Sequence, residues 1–107
     1  MDTTQGAVLE LVVFKLKDGA AREQLLGTVD AVSAWVAEQP GFVGRELAHD
    51  RGGDRWIDIV RWRSLEDAHA AAELAMSSES CAPMFGLINM ESMLMLHAEP
   101  AIAPVHA

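Results

Sequence analysis

The sequence predicts an α+β fold of order βαββαβ, a four-stranded antiparallel sheet with two helices on one face. Three observations predict it. Apolar strand-like segments open and close the chain; Pro40-Gly41-Phe42 ends a helical segment and begins a strand; and a turn rich in glycine and aspartate divides the two middle strands. Both helices on one side leave the other sheet face bare. Its outer residues are too apolar to sit in water, so a second copy or a ligand is expected to complete the core.

Ala7 to Leu16 is apolar at nearly every position regardless of parity, the pattern of a strand covered on both faces, and Glu10 is the one acid inside it. After the Asp18-Gly19 turn, Leu25, Val29, Val32 and Val36 recur at helical spacing, which predicts one helix from about Ala21 to Glu38. Pro40 and Gly41 stop it, because proline lacks the next amide donor and biases its predecessor to extended backbone.

Phe42 to Ala48 and Arg55 to Arg63 read as a hairpin around His49 to Asp54. Period two places Trp56, Asp58, Val60 and Trp62 on one face, with Ile57, Ile59 and Arg61 on the other. Ser64 and Asp67 have capping-box spacing ahead of a second helix from about Leu65 to Met76, whose Leu65, Ala68 and Ala72 turn inward. Ser77 to Pro83 is a break. The last strand runs from about Leu87 to His97, with Ile88, Met90, Leu94 and Leu96 expected on one side and Met93 and Met95 on the other. One domain over residues 1–97 and an Ala/Pro-rich tail over 98–107 complete the reading.

Composition narrows the function. In 107 residues, 16 acids face 8 Lys and Arg, giving a net charge of −8, and no Lys or Arg follows Arg63. Such a surface repels phosphate backbones and anionic lipid, so neither nucleic acid nor membrane is an expected partner. Lone Cys81 has no internal disulfide partner, no signal-peptide pattern opens the chain, and no apolar run approaches the roughly 18 residues of a membrane span. A cytoplasmic protein is the plain reading.

With these elements in order, the chain resembles the dimeric α+β barrel superfamily, of ferredoxin-like topology, and within it the antibiotic-biosynthesis monooxygenase family. The likeness is carried by Leu9 to Lys17 running into Asp18-Gly19, by Pro40-Gly41-Phe42, and by Ile57-Asp58-Ile59-Val60-Arg61-Trp62 running into Ser64. It extends to about His97. The resemblance implies a homodimer whose sheets pack face to face, with a cavity in each protomer for a small apolar or aromatic ligand. Some relatives oxidise phenols or anthrones with oxygen alone; others degrade haem or cyclise polyketides. The expected function is therefore a cofactor-independent monooxygenase acting on a small aromatic or polyketide-like substrate. The alternatives are a non-catalytic dimer that binds hydrophobic metabolites and an oxygen-independent cyclase, isomerase or lyase.

Three residues are candidates for proton transfer: Glu10, Asp58 and His69. Aligned through Phe14-Lys15-Leu16-Lys17 with the similar stress-responsive A/B barrel proteins, Glu10 falls where several carry a cavity-facing histidine. A carboxylate there would be desolvated, which raises its affinity for protons and suits a general base. The competing reading leaves Glu10 near the strand's exposed start, or pairs it with an arginine such as Arg61 or Arg45 as a structural ion pair. Asp58 shares a face with two tryptophans, and His69 lies at the margin of the inward helix face. Trp62, Phe14, Met84, Phe85 and Met90 are the candidates for contact with substrate, the methionines supplying a pliable apolar wall. No histidine or carboxylate pair has a metal-ligand spacing, so no metal is expected, and the resemblance to the cofactor-independent relatives implies no other cofactor. The haem-degrading pattern of a strand-one asparagine with a Trp and His on helix two is missing here, and there is no tyrosine to supply a phenol.

Overall fold

The computed structural model describes residues 8–107, so Ala7, expected to begin the first strand, lies outside the described residues. The elements are β1 (Val8–Leu16), α1 (Arg22–Leu26), α2 (Val29–Ala37), β2 (Phe42–Asp50), β3 (Arg55–Trp62), α3 (Leu65–Ala75), α4 (Ala82–Phe85) and β4 (Ile88–Ala98). The strands form one antiparallel sheet in the order β2-β3-β1-β4, so the first and third strands are central, as the βαββαβ plan requires. Residues 99–107 carry no helix or strand.

The first helical segment differs from its expectation, being divided into α1 and α2 at Gly27-Thr28. Glycine is a poor helix former, and the Thr28 hydroxyl donates to the Leu25 carbonyl at 2.7 Å while its own amide donates to the same oxygen at 2.9 Å. This tightens the turn without changing the buried face, on which Leu25, Val32 and Val36 still lie.

Pro40-Gly41 turns the chain from α2 into β2. Gly41 has φ +84°, and a Cβ there would collide with the Asp67 carboxyl in the first turn of α3. Its carbonyl accepts from the Arg63 amide at 2.8 Å. Ser64 caps α3 by accepting from the Asp67 amide at 3.0 Å. The close approach fixes the start of α3 against the sheet. Ala68 and Ala71 are buried there, whereas Leu65, expected to turn inward, is exposed. A helical side chain leans towards the N-terminus, so the first residue of α3 projects past the packed face.

Alternation on β3 is as expected: Trp56, Asp58, Val60 and Trp62 are buried on the helix side. Their β1 neighbours on that side are Val8, Glu10, Val12 and Phe14, by the register Val8↔Trp62 to Phe14↔Trp56. Two hydrophobic clusters result. One joins Phe14, Leu25, Val32, Trp56, Met84 and Ile88; the other joins Val8, Val36, Val60, Trp62, Ala68 and Ala71.

The last strand departs from simple alternation. Between the pairs Val13↔Leu94 and Lys15↔Asn89 one residue of β1 is opposed by Met90 to Met93 of β4, a bulge. Ser92 staples it, its hydroxyl accepting from the Lys15 amide at 2.9 Å and donating to the Asn89 carbonyl at 2.6 Å. Parity inverts across the bulge. Ile88 therefore faces the core, while Leu94 and Leu96, expected beside it, lie on the bare face.

That bare face joins Leu9, Leu11 and Val13 of β1, Ile57 and Ile59 of β3, and Leu94 and Leu96 of β4. The last two are 54% and 47% exposed. No helix among the described residues is long and apolar enough to cross a membrane.

Candidate active site

On the helix side a cavity of about 110 Å³ opens between the two clusters. Its floor is the sheet face carrying Glu10, Val12, Asp58, Val60 and Trp62; Ala71, Ala72 and Ala75 of α3 and Val32 and Val36 of α2 form walls. The alanines make the space, since a larger side chain on that face of α3 would fill it. Met76, Met84, Met90, Met93 and Met95 all line it, so every methionine after Met1 faces this one volume. Met84 is buried at the bottom, whereas Met76, Met90 and Met95 are exposed and mark the mouth. Buried Cys81 and Phe85 complete the far wall.

Two carboxylates reach the cavity, and their surroundings differ. Asp58 is gripped by Arg45 through parallel bonds, Nε to Oδ1 at 2.9 Å and Nη2 to Oδ2 at 2.8 Å. The remaining guanidinium hydrogens go to Ser33 Oγ at 2.8 Å, the Val29 carbonyl at 3.4 Å and Met84 Sδ at 3.8 Å. All five N–H donors of Arg45 thus have partners within the fold. The pair is a closed structural unit that joins β2, β3 and α2.

Glu10 is only 7% exposed and has no Lys or Arg partner among the described residues. Trp62 Nε1–H donates to Oε1 at 3.0 Å, and His97 Nε2 lies 3.1 Å from Oε2. The arginines weighed as its partners are engaged elsewhere, Arg45 with Asp58 and Arg61 with Glu46. Register explains the two contacts. His97 stands directly across from Glu10 on β4, and Trp62 stands one diagonal away on β3, beside Val60. Each oxygen thus has one hydrogen-bond partner among the described residues, and Glu10 lines the cavity.

The sequence candidates therefore separate. Glu10, Asp58, Trp62, Met84, Phe85 and Met90 all line the cavity. Phe14 does not: it is fully buried in the cluster with Trp56 and Leu25, because its position on β1 lies beyond the cavity floor. His69 does not reach the cavity either. It is exposed on α3 and touches His97, the two rings meeting edge to face with centroids 4.7 Å apart. His97 itself was not singled out from the sequence. Its parity with Met93 and Met95 was the available signal, since those side chains face the helices. Glu91 is exposed in the bulge, its amide bonded to Asn89 Oδ1 at 3.1 Å. Among the described residues no three His, Cys, Asp or Glu side chains converge as metal ligands would.

No protein-family model matches the sequence, and no curated protein matches it significantly. Solved structures do match in shape. A variant of SnoaB, a cofactor-independent oxygenase from Streptomyces nogalater, aligns with a TM-score of 0.69 at 17% identity, over 90% of this chain and 94% of its own. A candidate antibiotic biosynthesis monooxygenase from Bordetella bronchiseptica gives 0.71 at 13% identity, over 89% and 97%. At3g17210 from Arabidopsis thaliana gives 0.69 at 13%, over 92% and 99%. The chain has the α+β fold of the antibiotic biosynthesis monooxygenase-like proteins.

Proposed function

We propose that the protein is a homodimeric, cofactor-independent monooxygenase whose base is Glu10 and whose substrate is a flat, neutral, apolar molecule carrying one acidic proton. The observation that carries the reading is the contrast between the carboxylates. Asp58 is closed off by Arg45, while Glu10 is bonded to Trp62 and His97 in a cavity whose other charged groups, Asp58 and Arg45, are paired with each other. Since Arg45 has no spare donor, a substrate carboxylate or phosphate would enter a methionine-lined space unpaired, at a large desolvation penalty. The fold shared with SnoaB supports oxygen as co-substrate.

In the proposed reaction an anthrone-type CH₂ loses a proton to Glu10, leaving a delocalised carbanion. The carbanion gives one electron to O₂, and the resulting radical pair combines into a C–O bond. The peroxide takes back the proton, and loss of water leaves a carbonyl: CH₂ and O₂ become C=O and H₂O. Trp62 and His97 hold the carboxylate, and the apolar walls keep bulk water from the carbanion.

Dimerisation is supported by the bare sheet face, where Leu9, Leu11, Val13, Ile57, Ile59, Leu94 and Leu96 form one apolar surface. Such continuous patches are uncommon on stable monomers. The test is oxygen uptake with a panel of anthrones and hydroquinones in the presence of a chelator. Turnover lost in Glu10→Gln supports the reading. Binding without uptake favours a carrier, and substrate conversion that persists without oxygen favours an isomerase or lyase using the same base.

A further inference from the structure

We propose that His97 is the positioning residue of this site, fixing the orientation of the Glu10 carboxylate where it lines the cavity. The inference rests on the reading of Glu10 as the base. A glutamate side chain has three rotatable bonds, and a base that swings among rotamers spends little time within reach of the proton it must take. Trp62 alone holds one oxygen, which leaves the carboxylate free to rotate about that bond. The His97 contact with Oε2 at 3.1 Å supplies the second point and defines the plane.

The histidine is itself held. Its backbone lies directly across from Glu10 in the β1–β4 ladder, and its ring is wedged from outside by His69 of α3, at 4.7 Å between centroids and 85° between planes. Sheet and helix thus both act on one imidazole. The groups facing it are Glu10 from β1 and His69 from α3; the other charges of the cavity, Asp58 and Arg45, are spent on each other. His97 is not part of the cavity wall, so it acts on the substrate only through Glu10. For the contact to be a hydrogen bond to a carboxylate, Nε2 must carry the hydrogen.

Two measurements on the full chain test this. In ¹⁵N spectra of the resting protein, His97 Nε2 is expected to be protonated, and its resonance to move in Glu10→Gln. A His97 signal indifferent to that substitution overturns the proposal whether or not a substrate is known. With anthrone as probe, His97→Leu is expected to lower kcat on the order of a hundredfold with little change in KM. His97→Gln, which keeps an N–H donor, should recover part of the loss. The Trp62 indole N–H resonance, retained in both variants, reports that the fold and the first contact persist. Full kcat in His97→Leu alongside an inactive Glu10→Gln overturns the positioning role alone. An active Glu10→Gln removes the base, and the positioning role with it.

Discussion

The indole of Trp62 and the carboxylate of Glu10, 52 residues apart in sequence, share a 3.0 Å hydrogen bond in the buried wall of the cavity. The bond links packing to chemistry, because Trp62 also anchors the cluster of Val8, Val36, Val60, Ala68 and Ala71. Glu10→Gln keeps an acceptor for the indole and is expected to fold with a stability change of less than about 1 kcal/mol. Glu10→Leu strands the buried N–H and is expected to lose about 1–3 kcal/mol more. Urea unfolding of the two variants checks the order; equal loss in both would show that the hydrogen bond contributes nothing.

Arg45 and Asp58 give the opposite expectation for activity. Arg45→Met alone leaves a buried carboxylate uncompensated and should cost about 3–5 kcal/mol, whereas Arg45→Met combined with Asp58→Leu should recover most of that loss. The double variant should still consume oxygen. Loss of turnover in a folded double variant would mean that this pair serves the substrate after all.

The bare sheet face predicts a particle of twice the 11.6 kDa chain mass in sedimentation. Ile59→Lys or Leu96→Lys places a charge within that surface and should shift the population to monomer at micromolar concentration. A wild-type monomer under the same conditions would remove the dimer from the proposed function.

Gly41→Ala is expected to destabilise by at least about 1–2 kcal/mol, since it combines an L side chain at positive φ with a collision against Asp67. The structural consequence should concentrate at α3. Amide exchange faster in α3 than in the β1–β3 ladder would report it, and uniform loss of protection would contradict it.

At the β2–β3 hairpin the Arg55 side chain, bonded to Asp50, holds that carboxyl below its ordinary range, helped by the Gly53 amide. A folded value below the unfolded one means that the contribution to stability is fully present above the unfolded pKa, and is lost as pH falls through the folded one. Carboxyl NMR should show Asp50 titrating lower than a free aspartate. Arg55→Gln should return it upwards.

Much of this architecture was legible in the sequence because period and punctuation are local. The alternation of Trp56, Asp58, Val60 and Trp62, the stop at Pro40-Gly41 and the Ser64 cap each depend on residues within one element. What escaped depends on neighbours. The division at Gly27-Thr28 needs a side chain to compete for a carbonyl, and the inverted parity of Leu94 and Leu96 needs a bulge that Ser92 stabilises only when Lys15 is opposite. The short α4 escaped for want of length, with four residues showing no period. The cavity was half legible: Glu10 stood out as an acid in an apolar strand. His97 did not, because only the β1–β4 register brings them together.

The concentration of thioethers around one small volume has a chemical consequence of its own. Each methionine that becomes a sulfoxide replaces a pliable apolar wall with a polar, chiral one. The cavity would then bind apolar molecules less well while the sheet and its hydrogen bonds stayed intact. Under the proposed oxygenase reaction, the working life of the protein would be counted in oxidation events at Met76, Met84, Met90, Met93 and Met95, which line the cavity, rather than in unfolding. Repair by a sulfoxide reductase would reach the mouth residues first, leaving Met84 at the bottom as the slowest lesion to erase.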